Sequence, residues 1–258
     1  MGALVMGVVN VTPDSFSDGG RFSSPSRAVA HGRLLAAAGA SIIDVGGEST
    51  RPGAEPVEAA EELRRVLPVV SALAADGTRV SIDTRHAEVA DAALAAGATI
   101  VNDVSAAEAL MAVAAAAGAG YVAMHAQGDP ATMQLDPWYD DVVGEVHGFL
   151  AAAGARARQL GCPEVWVDPG IGFGKTLEHN LALLAALPEL VDAGVPVVVG
   201  ASRKGFLGRL TGGAPVEDRL EASVAVATWA FHCGVQVVRA HDVAETVQAL
   251  RLTAGEAA

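Results

Sequence analysis

The sequence is poor in cysteine and has no long apolar run, and each shortage excludes a class of protein. Two cysteines, Cys162 and Cys233, among 258 residues are too few for a disulfide framework and suit a reducing cytosol. The longest weakly polar stretch, 109–124, is interrupted by Gly118 and Gly120 and is too short to cross a bilayer. No basic segment precedes the first apolar run. We therefore expect no signal peptide and a cytoplasmic protein.

Positive charge is also scarce. The chain has 17 Lys and Arg against 30 Asp and Glu, a formal net charge of −13. Such a charge repels nucleic acid and anionic lipid, so we expect neither as a partner, and an anionic ligand must be held by a local cluster of cations. Only Lys175 and Lys204 are lysines, and both lie in glycine-flanked turns. We expect these two lysines to be present for the chemistry of their ammonium groups rather than to make the protein soluble.

One unit recurs along the chain: a short apolar run, a polar or glycine-rich turn, and an amphipathic alanine-rich segment. The runs predict eight strands, at 4–9, 41–45, 79–82, 99–101, 121–124, 165–167, 196–199 and 235–238. Helical patterns lie between them at 25–38, 57–73, 87–96, 140–159, 177–187, 216–232 and 244–252.

Eight such units without a linker predict a single (β/α)8 TIM barrel over residues 1–258, with its active site at the C-terminal ends of the strands. A doubly wound sheet is the alternative, but its Gly-x-Gly-x-x-Gly turn is absent after the first run.

Polar residues mark nearly every predicted strand end: Asn10, Asp83, Asn102, His125, Asp168, Lys204, Arg239 and His241. In a barrel these ends meet on one face. The clearest stretch is 165–176, VWVDPGIGFGKT, where Asp168 follows a buried run. An ionised carboxylate there needs a partner, and a ligand is the natural one. The alternative is that Asp168 only caps the next helix or the glycine turn. His125 is open between a site role and a satisfied core group.

The strand-end residues form two chemical groups. The acceptors Asp83, Asn102 and Asp168 suit the edge of a flat heterocycle that bears amino and ring N–H donors, and Lys204 can donate to its carbonyl. A buried polar network that only satisfies itself is the alternative. The anion-seeking group comprises Arg239, His241, Ser49, Thr50, Arg51 and Asn10, which suits phosphate. An amide such as Asn10 suits Mg²⁺, whose other ligands are usually waters and phosphate oxygens.

The remaining polar residues are interpreted as structural. His31, His86, His147, His179 and His232 are predicted to be surface or packing residues. Glu61, Glu62, Arg64 and Arg65 are predicted to form a solvated helix face. Three turns are longer than a barrel needs, 11–24, 46–56 and 201–215, which is typical of lids and binding loops.

Seven segments together resemble the bacterial dihydropteroate synthases over essentially the full length of the chain. They are MGVVNVTPDSFSDGG, IDVGGESTRPGA, SIDTR, IVNDVSA, DPGIGFGKT, GASRKGFLG and VVRAHDV. The resemblance implies a transferase of folate synthesis that joins 7,8-dihydropterin-6-ylmethyl diphosphate to 4-aminobenzoate and releases diphosphate with Mg²⁺. It also implies a homodimer built through the last helices, and ordinary sulfonamide sensitivity.

The family's functional residues map onto this chain position by position. Its pterin contacts fall on Asp83, Asn102, Asp168 and Lys204, with Met124 packing on the ring. Its diphosphate contacts fall on Thr50, Arg239 and His241, its metal position on Asn10, and its aminobenzoate pocket on Phe16, Arg51, Pro52, Ser202 and Lys204. The catalytic role is expected of Asp83, Asp168 and Lys204.

The sequence departs from the family pattern at two positions. Gln127 stands where family members often have Arg, which puts in doubt any role for that loop beyond packing on the pterin. Ala106 stands where Gly is frequent, and we expect little effect from it.

Three other hypotheses for the function remain. A methyltransferase that uses methyltetrahydrofolate would share the acceptor group but would not need Arg239 and His241. A Schiff-base aldolase would use Lys204 as its nucleophile. A pterin-binding paralogue without turnover is left open by the Gln127 loop.

Overall fold

The computed structural model describes residues 4–12, 24–49, 56–129 and 132–255. Its strands are β1 (Leu4–Asn10), β2 (Ile42–Gly46), β3 (Val80–Asp83), β4 (Ile100–Asp103), β5 (Gly120–Met124), β6 (Val165–Asp168), β7 (Val198–Val199) and β8 (Val237–Ala240). Its helices are α1 (Ser24–Ala37), α2 (Ala59–Ala75), α3 (Ala87–Ala95), α4 (Glu108–Ala116), α5 (Val142–Leu160), α6 (Leu177–Ala185), α7 (Leu187–Asp192), α8 (Gly205–Leu210), α9 (Leu220–His232) and α10 (Val243–Ala254).

The eight strands form one parallel sheet in the order β6-β5-β4-β3-β2-β1-β8-β7. A parallel bridge between Val167 and Val197 joins its two ends. This is the predicted (β/α)8 barrel, and all eight strands lie where the apolar runs predicted them.

The barrel interior changes from apolar to polar along the strands. A buried cluster of Met6, Ile42, Ile100, Val122, Trp166, Val198 and Val237 fills its N-terminal part. Because side chains alternate across a strand, the residues two positions further on point inward as well. Those residues include Asp44, Asn102, Met124, Asp168 and Arg239. The alternation therefore places a mainly polar layer at the C-terminal ends of the strands and an apolar layer at their N-terminal ends.

The outer face of the sheet packs on the helices through a second, larger cluster, which includes Val9, Ile43, Val101, Tyr121 and Val167. Asp103 is a buried exception on this face. Its carboxylate accepts hydrogen bonds from the Tyr121 hydroxyl at 2.6 Å and from the Ala107 N–H at 2.7 Å. These bonds satisfy Asp103 away from the barrel mouth.

The helices differ from the sequence predictions in four places. The stretch 201–215, predicted to be a long turn, contains α8, and α4 and α7 were not predicted. The pattern at 216–232 begins with a 3-10 turn at Val216–Asp218 before α9 starts. Among the described residues, none of the helices has the length and apolar character that a membrane span requires.

Candidate active site at the carboxyl ends of the strands

Arg239 lies at the centre of the polar layer and pairs with two carboxylates. Its Nε donates to Asp44 Oδ2 at 2.6 Å and its Nη2 to Asp83 Oδ2 at 2.8 Å. Asn102 Nδ2 donates to the same Asp44 oxygen at 3.0 Å. The strand ends of β2, β3, β4 and β8 are therefore joined by one charged network.

Asp44 belongs to this site, and the sequence analysis missed it. It lies two residues before the end of β2, whereas we had considered only residues at or beyond strand ends. A charged residue within the apolar run IIDVG was the available signal. Asp44 is fully buried, and among the described residues its Oδ1 and the neighbouring Ser81 Oγ have no hydrogen-bond partner. The network therefore has spare polar atoms for a ligand or water.

Asp168 and Lys204 lie on the other side of the mouth. Asp168 ends β6 and accepts a hydrogen bond from the Gly170 N–H at 2.7 Å. Lys204 precedes α8, donates from Nζ to the Ile171 carbonyl, and lies 4.5 Å from the centre of the Phe173 ring. The loop after β6 thus supplies both the acceptor and the aromatic face that hold the ammonium.

Burial shifts the pKa values of these groups. It raises the pKa of Asp83 to about 7, against the opposing effect of Arg239. It also raises the pKa of Asp168, against the opposing effect of Lys204, and it lowers the pKa of Lys204 to about 8. Burial lowers the pKa of Arg239 too, but the carboxylates of Asp44 and Asp83 outweigh it, so the net change is upward. Arg239 is therefore permanently charged, whereas Asp83 and Lys204 can titrate near neutral pH.

The remaining predicted residues divide between the mouth and the segments outside the described ranges. Asn10 ends β1 and is half-buried, and Met124 ends β5 and is buried. Ser202 Oγ accepts a hydrogen bond from the His241 N–H at 3.1 Å and lies 3.1 Å from His241 Nδ1. Those two residues, predicted for different subsites, are therefore neighbours. Phe16, Thr50, Arg51 and Pro52 lie outside the described residues.

The prediction of a solvated face on α2 is wrong for Glu62, which is fully buried. Its Oε2 lies 2.7 Å from His86 Nδ1, so His86 is paired rather than a simple surface residue. Beside this pair, Arg85 contacts both carboxylate oxygens of Glu48, at 2.8 and 3.1 Å. The burial was not visible in the sequence because Glu62 packs under Gly47, where an added Cβ would lie 2.8 Å from Glu62 Cγ.

Two places offer metal-ligand chemistry. Glu48, Glu62 and His86 present ligand atoms within 4.8 Å of one another, but Arg85 and His86 already pair with the two carboxylates. We interpret that cluster as an anchor for the start of the loop after β2. Asn10 lies at the barrel mouth, in register with Gly46, which is itself in register with Asp83. Its amide oxygen fits a Mg²⁺ ion whose other ligands are waters and diphosphate oxygens.

His125 and Gln127 have structural partners behind the mouth. His125 Nδ1 lies 3.0 Å from Lys175 Nζ. Of the two hypotheses for His125, this contact favours a core group with its hydrogen bonds satisfied over a residue of the site. Gln127 forms a pair of hydrogen bonds with the backbone of Trp138, to its carbonyl at 2.8 Å and from its N–H at 3.1 Å. An Arg side chain has no acceptor and could not form the second bond.

Comparisons with known proteins agree on one family. The family described as pterin binding enzyme matches residues 6–241. The dihydropteroate synthase of Mycobacterium leprae is 50% identical, over 96% of this chain and 91% of its own length. The Xanthomonas albilineans dihydropteroate synthase with 4-aminobenzoic acid has a TM-score of 0.93 and 47% identity, covering 98% of this chain and 92% of that one.

A second solved structure is the Yersinia pestis dihydropteroate synthase in complex with a sulfonamide drug. Its TM-score is 0.92 and its identity 42%, covering 98% of this chain and 94% of that one.

Proposed function

The chain belongs to the pterin-binding enzyme family, as a dihydropteroate synthase of folate biosynthesis, and on that premise we propose how its strand ends share the reaction. The enzyme condenses 7,8-dihydropterin-6-ylmethyl diphosphate with 4-aminobenzoate, giving 7,8-dihydropteroate and diphosphate. The observation that carries our assignment of residues is the charge balance of the mouth, where three carboxylates, Asp44, Asp83 and Asp168, meet two cations, Arg239 and Lys204.

The acceptor group holds the pterin. The ring's amino and N–H donors match the oxygens of Asp83, Asn102 and Asp168, and the free Oδ1 of Asp44 adds a further acceptor. Lys204 donates to the ring carbonyl. Met124 provides an apolar contact at the end of β5. Because the carboxylates outnumber the cations, the pocket stabilises positive charge on the ring.

The anion-seeking group holds the diphosphate, through Arg239, His241 and Thr50. In the described part of the chain, Arg239 Nε and one N–H of Nη2 are engaged by carboxylates, which leaves Nη1 and the second N–H of Nη2 as donors to the substrate. As the bond between the methylene carbon and the diphosphate oxygen breaks, its electrons go to that oxygen. Fixed cations beside the oxygen stabilise the developing charge.

The bond to nitrogen then forms. The dihydropterin ring delocalises the positive charge left on the methylene, and Asp83 and Asp168 favour that state. The aniline nitrogen of 4-aminobenzoate attacks the methylene, and the resulting ammonium loses its proton to water. The pocket for this substrate comprises Phe16, Arg51, Pro52, Ser202 and Lys204, which also makes it the site for sulfonamides.

Mg²⁺ is the proposed cofactor, held by Asn10. A bound Mg²⁺ would supply charge neutralisation on the diphosphate. We also propose one domain over the whole chain and a cytoplasmic location, supported by the two free cysteines, Cys162 and Cys233.

The proposed assembly is a homodimer. It is supported by exposed apolar side chains on three adjoining helices, Leu181 of α6, Leu210 of α8 and Trp229 of α9. Trp229 Nε1 donates to the Leu184 carbonyl at 2.8 Å, which places α9 against α6.

Diphosphate release tests the overall reaction. Purified protein is given the dihydropterin diphosphate and Mg²⁺, with and without 4-aminobenzoate. We expect dihydropteroate to form, and diphosphate release to require 4-aminobenzoate. Pterin binding without release would instead favour a paralogue without turnover.

Substitution of two residues tests the assignment of roles. We expect Lys204→Ala and Asp168→Ala each to lose at least ~2–4 kcal/mol of transition-state stabilisation, because each removes an ionisable, hydrogen-bonding group from a desolvated site. The measurement is kcat/KM for the dihydropterin diphosphate at saturating 4-aminobenzoate. Near-wild-type turnover in either variant would overturn its role.

A further inference from the structure

Lys175 is the second lysine of the chain, and nothing in the proposed chemistry uses it. It belongs to the loop 169–176 that follows β6, and it is only 2% exposed. Its Nζ lies 3.0 Å from His125 Nδ1, and it donates to the Phe173 carbonyl at 3.0 Å and to the His125 carbonyl at 3.4 Å. An ammonium has three donors, so these partners use all of them. Lys175 therefore has no donor left for a substrate.

The electrostatics agree with this geometry. Burial, then the charge of Lys204, lowers the pKa of Lys175 to about 7. Burial, then the charge of Lys175, lowers the pKa of His125 to about 4. The imidazole is therefore neutral at neutral pH, and its Nδ1 can accept from Lys175.

Two side chains from the segment between β5 and α5 hold the same loop. Gln134 Nε2 donates to the Gly172 carbonyl at 2.7 Å, and the Tyr139 hydroxyl donates to the Gly174 carbonyl at 2.9 Å. From the far end of the loop, Asn180 Oδ1 accepts from the Gly172 N–H at 2.6 Å. Carbonyls at 172, 173 and 174 are thus held from behind the loop.

The front of the loop carries the contacts of Lys204. With residues 172 to 174 held from behind, the Ile171 carbonyl accepts from Lys204 Nζ, and the Phe173 ring lies 4.5 Å from it. Gly170, whose N–H binds Asp168, opens the same loop. The position of the loop thus determines the surroundings of both catalytic groups.

We propose that Lys175 is a positioning residue for the pterin subsite, which acts by fixing the loop 169–176 so that Ile171 and Phe173 hold the Lys204 ammonium at the mouth. Gln134 and Tyr139 assist it from the segment between β5 and α5. This inference rests on the proposed role of Lys204.

The test compares the wild-type enzyme with Lys175→Met, a substitution that keeps the length of the side chain and removes its hydrogen-bond donors. Because misplacement of a catalytic group by about 1 Å can cost 10²-fold, we expect kcat/KM for the dihydropterin diphosphate to fall by roughly 10- to 100-fold. We also expect the basic limb of its pH profile to move to lower pH, since losing the Ile171 acceptor destabilises charged Lys204. The charged groups that act on Lys204 are Asp168, Arg239 and Asp83, none of which is altered, and Lys175 and Lys204 repel each other. Removal of the Lys175 charge by itself would move the basic limb to higher pH, so a move to lower pH reports the loss of the Ile171 contact.

A second pair of variants keeps the inference testable if Lys175→Met does not fold. Tyr139→Phe removes one hydroxyl that holds the loop, and Tyr121→Phe removes another buried hydroxyl, which bonds to Asp103 on the outer face of the sheet. We expect Tyr139→Phe to lower kcat/KM for the pterin substrate more than Tyr121→Phe does. Equal effects of the two would overturn the inference.

Two other outcomes distinguish failure of the positioning role of Lys175 from failure of the proposed role of Lys204. A folded Lys175→Met enzyme with unchanged kcat/KM and an unchanged basic limb would overturn the positioning role alone. Full turnover in Lys204→Ala would overturn the role of Lys204, and the positioning role with it.

Discussion

At the scale of single residues, charge inside the barrel has a cost that function explains. Asp83 is held beside Arg239, yet burial still raises its pKa to about 7 from an ordinary 3.8. A folded state that binds more protons than the unfolded state loses stability as pH rises between those two values. Ionised Asp83 is thus a stability cost that its proposed pterin-binding role would account for.

Asp83→Asn should therefore separate stability from activity. As pH rises from 4 to 8, we expect the variant to gain thermal stability relative to the wild type, while its kcat/KM for the pterin substrate falls because an ionised acceptor is lost. Asp76→Asn is the control, because hydrogen bonding to Arg33 lowers the pKa of Asp76, so its effect on stability changes below pH 4 and its difference from wild type should stay nearly constant from pH 4 to 8. Melting curves across this pH range decide it, and a constant difference between Asp83→Asn and wild type would contradict the prediction.

Ala106 carries a backbone cost of another kind. Its φ is +47°, in the left-handed region that favours glycine. Relief of strain worth about 1–2 kcal/mol, less an entropy cost of about 0.4–1 kcal/mol, should make Ala106→Gly more stable by about 0.5–1 kcal/mol. Ala115→Gly in α4 is the control and should lose about 1 kcal/mol. Urea denaturation measures both, and a destabilised Ala106→Gly would refute the strain argument.

At the scale of elements, the loop after β6 needs glycine for two reasons at once. Gly170 has a φ of +65°, and a Cβ there would lie 1.8 Å from the His125 carbonyl oxygen. Gly212 also has a positive φ, +75°, but a Cβ there would meet nothing within 4 Å. The pair therefore distinguishes backbone strain from close approach.

We expect Gly170→Ala to be less stable than Gly212→Ala by at least about 1–3 kcal/mol, the usual cost of forcing extra atoms into a packed region. We also expect it to reduce pterin turnover, because the displaced loop carries the contacts of Lys204. Denaturant midpoints and kcat/KM of the two variants test this. Equal stability of the two would mean that His125 and the loop separate without cost.

At the scale of the whole molecule, exposed apolar side chains support the proposed association of two copies into a homodimer. Leu210 of α8 is 49% exposed and Trp229 of α9 is 47% exposed, whereas Leu34 of α1 is 68% exposed on a separate helix. If the exposed apolar side chains of α6, α8 and α9 join two copies, sedimentation should give the wild-type enzyme a mass of about twice 26.0 kDa. A buried charge without a partner is costly, so Leu210→Glu should shift it towards the monomer, and Leu34→Glu should not. A wild-type monomer would refute the proposed homodimer.

The fold and half of the site could be predicted because their signals are local. Apolar runs and turns predicted all eight strands, and residues such as Asn102, Asp168 and Lys204 stood at strand ends where parallel strands converge. Helices α7 and α8 were missed because each has only six residues, too few for a periodic pattern. Asp44 was missed because its significance comes from the inward face of β2, not from its distance to a turn.

The sequence by itself determined the barrel, the chemistry available at its mouth and the family, since these follow from alternation, spacing and residue type. Only the tertiary structure decided which charges pair. Arg239 meets Asp44 across 195 residues of chain, Glu62 is buried against His86, and Lys175 is buried against His125. These facts depend on closure of the sheet and on the packing of loops and helices against it, which bring together side chains whose separation along the chain carries no information about contact.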